Sequence, residues 1–387
     1  MSRVYLLAIG MFALGIDAYI VAGLLPGISH TLSVSEEQAG LCVAVFMLSY
    51  AISAPVLATL VGSKPMRVVS TVALAIFTVA NAASVVASGF ALLLTARAVA
   101  GFGAGLFAPV AAAGAAALAP EGRKGRALGI VLGGMSTGAV IGVPVGLWIN
   151  DWIGWRGALG FVTLIGFFAL IGVALRLPSM AVRRPPSLSE RLSVLVHGKV
   201  TVTVGTTFLT AVGSLGLYTY LASLLHTFEN LADTKYYLWT WGIGGMIGSF
   251  VIGALIDRTG RAGWLLGIIL AMLGLSLVTL PALLPFGFIG FLPFLVWGAM
   301  GWASLAPQQH MLLELESEHG AAAVALNSSC NYLGGAIGAF AGGTLMAWGV
   351  NPSLLPYWAG AAVLMALIGH LAKVWFLSRR GCCSQEG

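Results

Sequence analysis

Charge is what this sequence has least of. Of its 387 residues only 8% are Asp, Glu, Lys or Arg, where a soluble protein carries about 25%. Such a chain cannot clothe a globular surface, and a soluble domain is excluded. Carboxylates are scarcer still, 13 against 19 basic side chains. The resulting net charge of +6 is spread over the turns between apolar runs and forms no basic face, so no nucleic-acid partner is expected. Four cysteines offer no disulfide framework. Cys42 and Cys330 lie in apolar runs, and the vicinal Cys382 and Cys383 are either an acylation site beside a membrane or spectators. The six histidines are scattered, and the sequence holds no H-E-x-x-H, no Walker loop and no paired-histidine spacing. No metal, cofactor or catalysis is expected, and the acidic run Glu314–His319 reads as a solvated turn. Nor is a cleavable leader expected, because the first apolar run, about 25 residues, exceeds the 7–15 of a signal core.

What the chain has is apolar surface: 59% hydrophobic residues and a mean hydropathy of +0.96. Runs of about 20 apolar residues cross a bilayer. Twelve are present, at roughly 4–28, 38–61, 66–88, 90–118, 126–149, 155–177, 200–226, 236–256, 262–283, 286–310, 320–348 and 354–377. The reading is an all-α integral membrane protein of twelve transmembrane helices. The polar, proline-bearing and basic stretch 178–199 divides it into an N-terminal six-helix bundle (1–177) and a C-terminal one (200–380), with a short tail at 381–387. Basic residues gather on the cytoplasmic side of membrane proteins. With the N-terminus cytoplasmic, 16 of the 19 Lys and Arg fall inside, only Arg156 and Lys235 fall outside, and Arg97 lies within a span. Both termini are therefore expected in the cytoplasm.

The two halves read as copies. Arg67 and Arg261, Pro109 and Pro307, and Gly142 and Gly338 occupy matching places, 194, 198 and 196 residues apart. A parallel repeat places the substrate site at the interface of its two halves, near the midplane. A shift of 196 carries Asp17 onto Gly213, so the second half has no matching carboxylate.

Asp17 stands at the middle of the first span and is the only acid in the middle of any span. A charge there costs about 2.5–3.5 kcal/mol on insertion scales and marks a functional position. Burial disfavours the charged form of a carboxyl group, which makes Asp17 the expected proton carrier. Arg97 is the one basic residue inside a span rather than at its cytoplasmic end. It must find a partner: Asp17, or carbonyls freed near Pro26, unless it snorkels to the outer interface. Arg97, Gly101, Gly105 and Pro109 share a helix face. In span five Gly134, Gly138, Gly142 and Gly146 recur every fourth residue with Pro144 between the last two, a pattern of close and bent helix packing.

After span eight, Gly253, Asp257, Arg258, Gly260 and Arg261 form a tight turn carrying both charge signs. It is either an ordinary positive-inside loop or a gate whose ion pairs break and re-form. For the substrate path the candidates are Tyr50, Tyr218, Trp241, Asn327 and Asn331. The alternatives are helix–helix hydrogen bonds for the amides and lipid-facing belts for the aromatics. With no second buried charge, a neutral or weakly charged solute is expected.

These motifs carry a resemblance. The chain resembles the major facilitator superfamily, within its twelve-span drug:proton antiporters, over essentially its whole length. Arg97, Gly101 and Gly105 match the signature R-x-x-x-G-x-x-x-G; Gly142, Pro144 and Gly146 match the end of the antiporter motif, G-x-P-x-G; and residues 253–261 fit G-x-x-x-D-R-x-G-R. The first helix, with GLLPGIS at Gly23–Ser29, is similar to bacterial exporters of sugars, purine nucleosides and chloramphenicol. The resemblance implies a monomer of two pseudo-symmetric six-helix bundles in the cytoplasmic membrane. It implies export of a small organic molecule against protons, with the span-four arginine taking part in proton transfer. One departure stands out: the loop after span two reads LVGSKPMR, with Gly62 where an aspartate belongs and only Lys64 and Arg67 keeping the basic character. The rival readings are a facilitator in which Asp17 binds solute hydroxyls and no proton moves, and a transport-inactive membrane sensor.

Overall fold

Nothing in a bilayer hydrates a backbone amide, so apolar runs that cross it must close their hydrogen bonds within themselves, as helices. The structure, a computed structural model, describes residues 2–61, 64–120, 123–180, 188–229, 231, 233–316 and 319–383. Gly62, residues 181–187 of the central linker and the last four residues of the tail lie outside the described residues.

Among the described residues every regular element is helical. Four passes are single helices: α1 (Ser2–Leu32), α2 (Glu36–Val61), α3 (Met66–Val85) and α4 (Phe90–Leu118). The fifth and sixth run through α5 (Lys124–Thr137), a π-helical turn at Gly138–Gly142 and α6 (Val143–Arg176). Within α6 the chain turns at Gly154, whose φ of 75° is a conformation glycine adopts without steric cost. After the short α7 (Leu188–Ser193) comes the second half. It comprises α8 (Gly198–Thr219) continued by α9 (Leu221–Leu225), then α10 (Thr234–Thr259) and α11 (Ala262–Leu283). Next are α12 (Phe291–Ala303) continued by α13 (Leu305–Leu315), α14 (Gly320–Ala347) and α15 (Leu355–Cys383).

Eight helical stretches are long and apolar enough to cross a membrane, and two of them, of 53 and 54 residues, are long enough to do so twice. α2 and α14, at 26 and 28 residues, each extend about 40 Å and complete the twelve passes. These two pack on each other across the two halves. An even number of passes puts both termini on one face, called here the terminal face; the opposite one is the distal face.

The repeat is visible as packing. A Cβ on Gly134 or Gly138 would strike the carbonyls of Ala8 or Phe12, and one on Gly334 or Gly338 those of Phe208 or Val212. α5 thus sits on α1 as α14 sits on α8, with both members shifted by 200 residues (134 to 334, 8 to 208). The structural register therefore corrects the shift of 196 read from Gly142 and Gly338, and the counterpart of Asp17 is Leu217, which is equally without a charge.

Between the halves α7 packs against both α2 and α14. Its Arg191 is buried and donates to the main-chain oxygen of Ala325 and to Ser329 Oγ at 3.4 and 3.2 Å. Glu316, expected in a solvated turn, is instead only 8% exposed and lies 2.5 Å from His197 Nδ1.

Candidate functional site

The glycine stripe of span five is what seats α1. Gly134, Gly138, Gly142 and Gly146 lie in turn under Ala8, Phe12, Ile16 and Ile20, one helical turn apart on each partner. Pro144 stands two residues past the π-helical turn. A proline has no N–H to give and its ring crowds the preceding turn, so a widened turn there is the local solution. The α4 face works similarly: Gly101 and Gly105 bring its backbone against the carbonyls of Phe46 and Tyr50 on α2. Both contacts converge on Asp17.

Asp17 and Arg97 are buried, at 0% and 1% exposure. Arg97 Nη1 stands 2.6 Å from Asp17 Oδ1, and Nη2 donates to the Asp17 main-chain oxygen at 3.3 Å. Of the alternatives open from sequence, the pairing with Asp17 is the one formed; Arg97 does not reach the interface. Its guanidinium carbon lies 4.5 Å over the Phe46 ring. A third member was missed from sequence: Asn81 of α3, also buried, accepts from Arg97 Nη1 at 3.2 Å and donates to Asp17 Oδ2 at 3.3 Å. An asparagine amid apolar residues was the available signal.

Two residues along α1, Tyr19 enters the second half. Its ring centroid lies 5.5 Å from those of Tyr218 and Trp241 and 6.1 Å from that of Trp302, and its main-chain oxygen accepts from Tyr218 Oη at 3.3 Å. Here a small cavity of about 40 Å³ is lined by Tyr19, Trp241, Trp302, Asn331 and the hydroxyls of Thr207, Thr210 and Ser214. Tyr19 and the hydroxyls were also missed, although Thr203, Thr207, Thr210 and Ser214 recur at helical spacing. Of the predicted substrate residues, Trp241 and Asn331 line the cavity and Tyr218 packs beside it at 4.4 Å from Trp241. Tyr50 lies on Tyr332 of the other half. Asn327 sits deeper, its Oδ1 accepting from Thr207 Oγ1 at 2.5 Å, while among the described residues its Nδ2 has no partner.

Gly253, Asp257, Arg258, Gly260 and Arg261 are all exposed on the terminal face. Gly260, with φ 60°, closes α10 by donating to the Ile256 oxygen at 2.8 Å. Among the described residues Asp257 makes no ion pair in this conformation. The charged tie between the halves lies instead on the distal face, where Lys235 Nζ stands 2.7 Å from Asp151 Oδ2 and 2.9 Å from Asp233 Oδ2. All three line a cavity of about 460 Å³ on that face. Partial burial opposes ionisation of Asp233, but its hydrogen bonds from Lys235 outweigh this and hold its carboxyl below the ordinary value.

Comparison with known proteins agrees with this architecture. A profile of the Major Facilitator Superfamily matches residues 7–339. The MFS-type transporter YbcL of Bacillus subtilis (strain 168) is 32% identical over 378 residues, covering 95% of each chain. A chloramphenicol resistance protein of Streptomyces lividans is 30% identical over 264 residues, 66% of each. The crystal structure of a D-xylose-proton symporter superposes with a TM-score of 0.74 at 16% identity, covering 95% of this chain and 96% of that one. The profile match and the similarity over nearly its whole length establish that this chain belongs to the Major Facilitator Superfamily, as a multi-pass membrane transporter.

Proposed function

We propose that the protein exports a small neutral organic solute across the cytoplasmic membrane in exchange for protons, with both termini in the cytoplasm. The observation that carries the reading is the buried Asp17–Arg97 pair at 2.6 Å, two residues from the Tyr19 ring that meets the other half. A proton and a solute are coupled only when both bias one two-state equilibrium. Protonating Asp17 from the distal side dissolves its ion pair, and the same turn of α1 carries Tyr19 against the cavity wall. The charge at 17 and the packing at 19 thus move as one rigid piece.

Residues 1–177 and 200–380 are the two bodies that rock, and both contribute to the cavity, so a monomer suffices. The cavity wall is aromatic rings, hydroxyls and one amide, a lining for a neutral solute with a ring face and several hydrogen-bonding groups. The name of the Streptomyces lividans relative supports an amphenicol as the first probe, and that of the xylose symporter supports proton coupling on this fold. The loop at 253–261 serves as the terminal-face gate, in the conformation with that face closed.

The test is proton release from purified, detergent-solubilised protein on adding chloramphenicol, purine nucleosides or pentoses, beside Asp17→Asn. Release by the native protein and none by a folded Asp17→Asn is expected. Saturable binding without release in either protein would replace antiport with facilitated diffusion.

A further inference from the structure

Protonating Asp17 creates a difficulty that the pair alone does not resolve. Arg97 keeps its charge at any cellular pH, and once the carboxylate is neutral it is a buried cation without an anion, the costly half of a broken buried pair. The geometry points to Asn81 as the positioning residue that holds Arg97 in place through both protonation states of Asp17. This rests on the reading of Asp17 as the proton carrier.

The orientation of the Asn81 amide is fixed by its neighbours. Arg97 only donates, and the Phe77 main-chain oxygen only accepts. The nitrogen must therefore be the atom 3.1 Å from Phe77 O, and the oxygen the atom 3.2 Å from Arg97 Nη1. With Nδ2 anchored to the preceding turn of its own helix, Oδ1 stays where it is whatever Asp17 does.

Nη1 is also the nitrogen that binds Asp17 Oδ1 at 2.6 Å. One guanidinium nitrogen thus faces two acceptors, a carboxylate and an amide. When Asp17 takes a proton the first weakens and the second remains. Nη2 keeps its bond to the Asp17 main-chain oxygen at 3.3 Å, which is indifferent to protonation. The amide nitrogen, 3.3 Å from Oδ2, donates its other hydrogen to an oxygen that accepts in either state.

Arg97 is therefore held by two neutral acceptors in both states, and what protonation removes is the charge attraction between α4 and α1. The remaining titratable group facing the cluster from α2 is Cys42, within electrostatic reach of Arg97. α3 offers none between Arg67 and its end, α4 none but Arg97, and the fifth pass none between Arg126 and Asp151.

If Asp17 and Asn81 are the two arms of one arginine site, exchanging them should preserve it. The experiment compares substrate-triggered proton release in the native protein, in Asp17→Asn, in the exchange Asp17→Asn with Asn81→Asp, and in Asn81→Asp alone. Chloramphenicol, a purine nucleoside or a pentose serves as probe, whichever releases protons from the native protein. The expected result is loss in Asp17→Asn and recovery in the exchange. In Asn81→Asp two carboxylates share one cation, so half-maximal release should move up by about one pH unit or more.

Folded exchange protein as silent as Asp17→Asn would overturn the proposal. So would an Asn81→Asp profile that coincides with the native one. Failure of both variants to assemble also counts against it, since the site must accept a carboxylate at either position. No release from the native protein would instead defeat antiport itself, and the two failures are distinct.

Discussion

Tyr50 of α2 and Tyr332 of α14 lie face to face, with ring centroids 3.7 Å apart and planes 25° from parallel. They belong to opposite halves of the molecule, so the stack is a contact that the proposed rocking of the halves would break. An aromatic pair contributes about 0.5–1.5 kcal/mol beyond its burial. Tyr332→Leu should therefore shift the balance of the two conformations about 2- to 13-fold toward the one in which the rings are apart. Distances between spin labels on the two halves, measured with and without the substitution, check this. Unchanged populations would mean that the stack survives in both states.

The glycine stripes give a prediction about stability that needs no substrate. Gly138→Val and Gly338→Val place methyls against the carbonyls of Phe12 and Val212. Overpacking of this kind costs about 1–3 kcal/mol. Gly129→Val, on the same helix as the first stripe but with nothing within 4 Å of its Cβ position, is the control. Thermal unfolding in detergent should show both stripe variants clearly lowered, by similar amounts, and the control close to the native protein.

On the distal face, Lys235 pairs with Asp151 and Asp233 at partly exposed sites. Pairs of this exposure contribute about 0.2–1 kcal/mol, so Lys235→Gln should favour separation of the distal ends about 1.4- to 5-fold. High salt should reproduce part of the effect in the native protein and none in the variant. The pH sign follows from Asp233, whose carboxyl is held below its ordinary value. Its contribution is fully present above the ordinary carboxylate value of about 4 and fades only as pH falls further. Because Asp233 and Lys235 share the second half, this contact steadies the start of α10, and the unfolding temperature should be flat from about pH 5 to 8 and fall in stronger acid.

Within the second half, Thr207 and Asn331 should separate by readout. Thr207→Val removes the only hydroxyl that Asn327 Oδ1 accepts from among the described residues, and a buried amide left unpaired costs about 1–3 kcal/mol. Asn331 lines the cavity beside Thr207 but, among the described residues, carries no such bond to another side chain. Thr207→Val is expected to lower the unfolding temperature, whereas Asn331→Ala should weaken solute binding with little change in it. Calorimetric titration beside thermal unfolding distinguishes the two.

How much of this was legible in the sequence depends on how far each feature reaches along the chain. The glycines at 134, 138, 142 and 146 announced close packing, because their spacing is a local fact. That they pack against Ala8, Phe12, Ile16 and Ile20 was not legible, because nothing local names the partner helix. The 196-residue shift read from Gly142 and Gly338 failed for a similar reason. Glycines in both stripes recur every fourth residue, so a slip of one turn is invisible until a partner helix fixes the register. Asp17 and Arg97 could be singled out because each is alone of its sign within the spans. Asn81 could not be ranked, since a single amide in an apolar run is as easily a helix–helix contact.

The sequence by itself determined the twelve membrane passes and the membership of a transporter superfamily. Run length, hydropathy and short motifs are properties of contiguous residues, and a bilayer leaves apolar runs no conformation but the helix. Only the tertiary structure decided that Arg97 meets Asp17 across 80 residues of chain and Asn81 across 16, and that Asn81 meets Asp17 across 64. It alone carried Tyr19 into the second half. Those contacts arise where helices distant in sequence bring buried polar groups together, because in a medium without water each such group must find its partner within the protein.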